Sequence, residues 1–69
     1  MCLVAVYVKQ PDSPEERRLV FSEAAFIECG ENEVIVRDLL GQSEKLKARV
    51  RAIDLLKNEI LLEQDRSRD

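Results

Sequence analysis

Histidine and tryptophan are absent from this chain of 69 residues, and its aromatic rings are Tyr7, Phe21 and Phe26. Without an imidazole, neither a Cys–His nor a Ser–His catalytic pair can be assembled. The rings include no aromatic pair set for stacking successive bases. Glycine occurs only as the isolated Gly30 and Gly41, which leaves no glycine-rich loop to cradle a phosphate. No run of about eighteen apolar residues is present, so nothing reads as a membrane-spanning helix. The opening apolar run, residues 3–8, is too short for a signal sequence, lacks a basic segment before it, and meets Lys9 at once. These absences predict a cytoplasmic protein whose two cysteines, Cys2 and Cys29, stay reduced; a disulfide between them is the alternative. The acidic residues are scattered without a recognisable carboxylate pair, so no catalytic role is expected.

What remains is an aliphatic, charged and mildly acidic chain. Fourteen Asp and Glu face eleven Lys and Arg, and the isoelectric point is near 4.9. That balance disfavours a dedicated nucleic-acid binder, whose charge normally runs the other way. Charged residues are interleaved with Leu, Ile, Val and Phe, as in a folded domain. The sequence predicts a single domain over residues 1–64 and a flexible charged tail over 65–69. A domain this short buries only about 60% of its unfolded surface. A metal or a partner subunit is therefore a reasonable source of further stability.

Apolar periodicity is mostly near two, which favours strands. In residues 2–8, Cys2, Val4, Val6 and Val8 fall on one face and Leu3, Ala5 and Tyr7 on the other. Both faces are apolar, so this strand is expected to be covered on both sides, a second subunit being one possible cover. Residues 10–14 hold both prolines and read as a turn. A second strand follows over 15–21, then a helical turn or kink at 22–25, and extended chain over 24–29. Gly30-Glu31-Asn32 predicts a hairpin whose return strand is 33–39. Gly41-Gln42-Ser43 marks the next turn. Residues 44–53 alternate most clearly, with Leu46, Ala48, Val50 and Ala52 opposite Lys45, Lys47, Arg49 and Arg51. Leu55-Leu56 runs into a turn at Lys57-Asn58, and residues 59–63 form the last strand. Five to six short antiparallel strands predict an all-β fold, a small barrel or rolled sheet.

Cys2 is the first candidate site. Removal of Met1 would place a free amine and a thiol on one residue, which together close a five-membered chelate ring on a metal. With Met1 retained, the Cys2 amide nitrogen could serve after deprotonation. Nitrogen and thiolate donors in a square plane suit Ni(II) or Cu(II), whereas a sulfur-rich tetrahedron suits zinc. One chain supplies too few ligands, but two copies of Cys2 across a twofold axis would furnish two sulfurs and two nitrogens. The competing reading is a small apolar strand residue, and residue chemistry alone favours it. Cys29 reads as core or near-surface packing.

The cations Lys45, Lys47, Arg49 and Arg51 are the second candidate. On a strand, alternate residues stand about 6.6–7 Å apart, near a nucleic-acid phosphate spacing. The alternative function they suggest is RNA binding. Glutamates on neighbouring strands, Glu33 and Glu59 or Glu63, offer a simpler account as cross-strand partners, and that account is favoured.

Several of these pieces occur together in one family. Met1-Cys2 leads directly into a strand. The turn Asp38-Leu39-Leu40-Gly41 follows, then Lys47-Ala48-Arg49-Val50, and Ile53-Asp54-Leu55-Leu56 ahead of Ile60-Leu61-Leu62-Glu63. In this order and spacing the chain resembles, over nearly its whole length, the CooT-type nickel-binding proteins, some of which are also called predicted RNA-binding proteins. The resemblance implies a homodimer that binds one Ni(II) through Cys2 of each subunit. It also implies a nickel chaperone or sensor role in the maturation of a nickel enzyme, carbon monoxide dehydrogenase. Many relatives carry a histidine near the final turn, where this chain has Lys57-Asn58-Glu59, so only Cys2 carries over as a ligand.

Overall fold

Strand-forming alternation runs through most of the chain, and in the computed structural model the described residues, 3–10 and 12–64, contain no helix. The all-β expectation holds. Seven strands follow in order: β1 Val4–Gln10, β2 Ser13–Ala24, β3 Phe26–Cys29, β4 Val34–Arg37, β5 Ser43–Leu46, β6 Ala48–Asp54 and β7 Glu59–Gln64. They make a four-stranded sheet in the order β2-β1-β7-β6 and a three-stranded sheet in the order β3-β4-β5. The tail anticipated at residues 65–69, like Cys2, lies outside the described residues.

Only Ala25 separates β2 from β3, and only Lys47 separates β5 from β6. Each of these pairs is one pass of chain that bends out of one sheet into the other. Seven strands therefore make five passes, each hydrogen-bonded to both of its neighbours. Closing such a ring removes the exposed sheet edges that invite unwanted pairing. In an up-and-down ring with an odd number of passes, the first and last must run the same way. The β1–β7 pair is accordingly parallel, with Ala5 opposite Glu59 and Lys9 opposite Glu63. This corrects the expectation of antiparallel pairing throughout.

Two further expectations are corrected and one is decided between its alternatives. The segment at 22–25 takes the kink of its two expected forms, because the chain must turn there into the second sheet. Residues 44–53 are not one strand, for the same reason at Lys47. β2 begins at Ser13, earlier than the predicted turn over 10–14 allows. β2 lies at the end of its four-stranded sheet and pairs there with β1, its pass reaching the other neighbour only through β3, and a strand in that place tolerates Pro14 near its start.

The core lies between the two sheets. Val6, Val8, Ala24, Val34, Val36, Ala48 and Leu62 are buried in it, and Val4, Val20, Phe21, Ile27, Leu46 and Ile60 pack around them. No aromatic ring is fully buried among the described residues, so the core is made of small aliphatic side chains. Of the two apolar faces expected for β1, the one with Val4, Val6 and Val8 is turned to the core. On β6 the alternation breaks at a bulge between Val50 and Ala52. Val50 stands opposite buried Leu62, but Ala52 stands opposite Leu61 and Ile53 opposite Ile60. The bulge thus shifts the pairing register, and past it both Ala52 and Ile53 are exposed, so that Ala48 is the one buried residue of β6.

Leu62 is fully buried at the centre of this core. Leu62→Ala is expected to cost about 2–5 kcal/mol, through lost burial and a residual cavity. Urea unfolding at fixed protein concentration would show it as a lower midpoint with an unchanged slope.

Candidate metal centre

Cys2 itself lies outside the described residues, but its chain neighbours are well placed in the fold. Val4 pairs with Ala24 on β2. On the other side, the Ala5 N–H donates to the carbonyl of Asn58 at 2.9 Å. The start of β1 is thus held between the end of β2 and the β6–β7 turn. A cavity of about 470 Å³ opens beside Leu3, lined by residues 20–23 of β2 and by Asp38, Leu39, Leu40 and Gln42 of the β4–β5 turn, so that its wall is part apolar and part polar. Two hairpin turns therefore flank the beginning of β1, one on each side.

Both turns are built by the same device. In each, an aspartate is followed by two leucines, and the carboxylate folds back onto backbone N–H groups. Asp38 Oδ1 accepts from Leu40 N and Gln42 N, both at 2.9 Å. Asp54 Oδ1 accepts from Leu56 N and Lys57 N, both at 3.1 Å. Gly41 in the first turn has φ of 93° and Asn58 in the second has φ of 54°, a left-handed backbone that these two residue types tolerate. With the carboxylates turned onto the backbone, the leucines point outward: Leu40 is 84% and Leu56 97% exposed. Sequence reading located both turns but not these paired carboxylate caps. The legible signal was Asp at the first position of each turn.

No group of three or more His, Cys, Asp or Glu side chains that could hold a metal ion occurs among the described residues. Cys29 is a free, exposed thiol at the end of β3, opposite Val34. It does not line the cavity at Leu3. Of the two places expected for it, core or near-surface packing, the exposure excludes the core.

The four cations of the alternative site do not share one strand face. Lys45 belongs to β5, Lys47 sits at the bend, and Arg49 and Arg51 belong to β6. Lys45 Nζ lies 3.5 Å from Glu33 and Arg51 Nε 3.8 Å from Glu63. Glu33 and Glu63 are thus the cross-strand partners anticipated for them. Glu59 instead meets Arg17 at 3.4 Å, and the Arg17 guanidinium lies 4.4 Å from the centre of the Tyr7 ring. That contact covers part of the outer face of β1 from within the chain. Nothing in the sequence pattern marked Arg17, because its partners come from strands far away along the chain.

The Asp54 carboxylate accounts for the outward set of the β6–β7 turn. Asp54→Ala removes both of its backbone hydrogen bonds and is expected to cost about 1 kcal/mol. Thermal unfolding would record the loss, and amide exchange at Leu56 and Lys57 should speed up relative to the rest of the domain.

Comparison with known proteins places this fold. A crystal structure described as a CooT from Carboxydothermus hydrogenoformans superimposes with a TM-score of 0.78, covering 93% of this chain and 98% of that one at 19% identity. A search of curated proteins found no match. The sequence pattern of the family described as "CO dehydrogenase accessory protein CooT" matches residues 1–63. From its first residue through most of β7, this chain belongs to the CooT family.

Proposed function

We propose that this protein is a cytoplasmic, non-catalytic nickel carrier or sensor that binds one Ni(II) between the Cys2 thiolates of two subunits, in support of CO dehydrogenase maturation. The observation that carries this reading is the family match over residues 1–63, which takes in Met1-Cys2 and the strand that follows. The nickel is cargo. A thiolate with an adjacent nitrogen on each of two copies supplies two sulfur and two nitrogen donors, a set suited to square-planar Ni(II). Placement of the metal on a twofold axis makes each copy supply half of the donors. Because the thiolate is the ligand, binding releases protons and weakens as pH falls.

The fold supports this reading through the anchoring of β1. Val4 is held by Ala24 and Ala5 by Asn58, so the strand leading away from the thiol is fixed on both sides. RNA binding receives no comparable support, since two of the four cations meet glutamates and the bend at Lys47 divides the set.

Titration of full-length protein with Ni(II), followed by charge-transfer absorption, tests the assignment. Wild type should saturate at one nickel per two chains, and Cys2→Ser should lose the band. Unchanged stoichiometric binding by Cys2→Ser would rule Cys2 out as the ligand. Saturation at one nickel per chain would rule out the shared site.

A further inference from the structure

A second cavity lies toward the far end of β1, and the strand register brings its walls together. On β1, Val8 faces the core, and Arg18 of β2 and Leu62 of β7 stand opposite it. Gln64 is two residues past Leu62 and so falls on the same face, with Ala48 of β6 opposite it. Arg18 and Gln64 thus occupy inward-facing positions where the core ends. Between them is a cavity of about 40 Å³, lined by Val8, Arg18, Leu46, Lys47, Ala48 and Gln64.

This lining combines an apolar floor, a cationic rim and an orphaned amide. Val8 and Ala48 are buried and Leu46 packs beside them, which makes the floor. Arg18 and Lys47 are exposed at the rim, and neither forms an ion pair among the described residues. Gln64 Oε1 is buried without a hydrogen-bond partner. An orphaned buried polar atom costs free energy that a bound group would recover. A half-turn of the amide exchanges its oxygen for two N–H donors in nearly the same envelope. No carboxylate lines the cavity, so all three polar side chains are able to donate to an anion.

We propose that this end of the barrel binds a carboxylate carried on a short apolar stem. The charge goes to the rim, where the Arg18 fork suits both oxygens and Lys47 and the Gln64 amide complete the donor set. The stem goes to the floor of Val8, Leu46 and Ala48. A tetrahedral oxyanion is a poorer match, because its inner oxygens would face methyl groups and lose hydration without compensation. Size sets a second limit. A cavity of about 40 Å³ holds roughly three waters, which is room for an acetate or propionate and not for an organic cofactor. Two sources carry that chemistry: a free short-chain acid, and the carboxyl terminus of a peptide ending in a small apolar residue. The site is separate from the proposed nickel site, since Val8 lies roughly 13 Å along β1 from Val4 and Cys2 precedes Val4 in the chain.

The test is a titration of the full chain with propionate at constant ionic strength, followed by NMR at the backbone amides of Lys47, Ala48 and Gln64. Their shifts should saturate in the millimolar range, as expected for so small a ligand. Inorganic phosphate should bind at least about threefold more weakly. Arg18→Gln should weaken propionate binding about tenfold and Gln64→Leu about threefold. Arg18 is exposed, so its change leaves the core intact. Gln64→Leu should hold or raise the thermal midpoint, since it removes the orphaned oxygen and keeps the bulk.

Shifts that stay linear to about 100 mM would overturn the proposal, as would phosphate binding as tightly as propionate or unchanged affinity in Arg18→Gln. A short peptide ending in alanine, with a free or an amidated terminus, identifies the source. Binding tighter than propionate and lost on amidation assigns the site to a chain terminus. Propionate at least as tight as the free-acid peptide assigns it to a small acid. A peptide that binds equally well when amidated would overturn the carboxylate.

Discussion

Closure of a five-pass sheet is the constraint from which most of this structure follows. With an odd number of passes, the ring can close only through one parallel pair, and that pair joins the first strand to the last. The chain that connects them is nearly the whole protein. β1 is therefore the strand on which closure depends, and it is hydrogen-bonded on both sides. It also carries Val6 and Val8 into the core on one face and Tyr7 beneath Arg17 on the other.

Closure within so few residues requires the sheet to bend sharply, and the bends decide where the charges go. Ala25 and Lys47 are the bend residues. Because β5 and β6 lie in different sheets, a run that reads as one cationic strand is shared between two surfaces. Lys45 meets Glu33 in one sheet and Arg51 meets Glu63 in the other. These exposed pairs contribute little energy each, typically below about 1 kcal/mol. Their consequence lies in charge distribution, since a cation beside a glutamate presents less positive field to a polyanion.

The strands were legible because alternation has a period of two whatever the sheet does later. The alternation of β1, the Gly30 hairpin and the final strand are all visible in residue order alone, although which face of β1 turns inward is not. The bend at Lys47 and the bulges were not, because they arise from closure, which is a property of the whole ring; the kink at 22–25 was one of two forms expected there. Lys47 carries no turn signature, and Arg51 looks like one more member of an alternating series. The parallel pair was hidden for the same reason, since it follows from the number of passes. Of the candidate site, the residue type at Cys2 was legible and its surroundings were not. The leucine turns were readable as turns, but their convergence on the start of β1 depends on the β1–β7 pair.

That convergence links the fold to the proposed chemistry. A two-subunit metal site needs two strand ends that approach each other in a fixed geometry, and free strand ends fray. Here the end of β1 is held by Ala24 on one flank and by Asn58 on the other. The Asn58 contact exists because closure sets the β6–β7 turn beside β1. The same turn carries Leu55 and Leu56, whose outward set follows from the Asp54 carboxylate. One turn thus serves both to anchor the strand and to present apolar surface next to it. On the proposed reading, the β6–β7 turn steadies the strand end that leads to the ligand, through the Ala5–Asn58 hydrogen bond. A change in the Asp54 turn would then reach the nickel without touching a ligand.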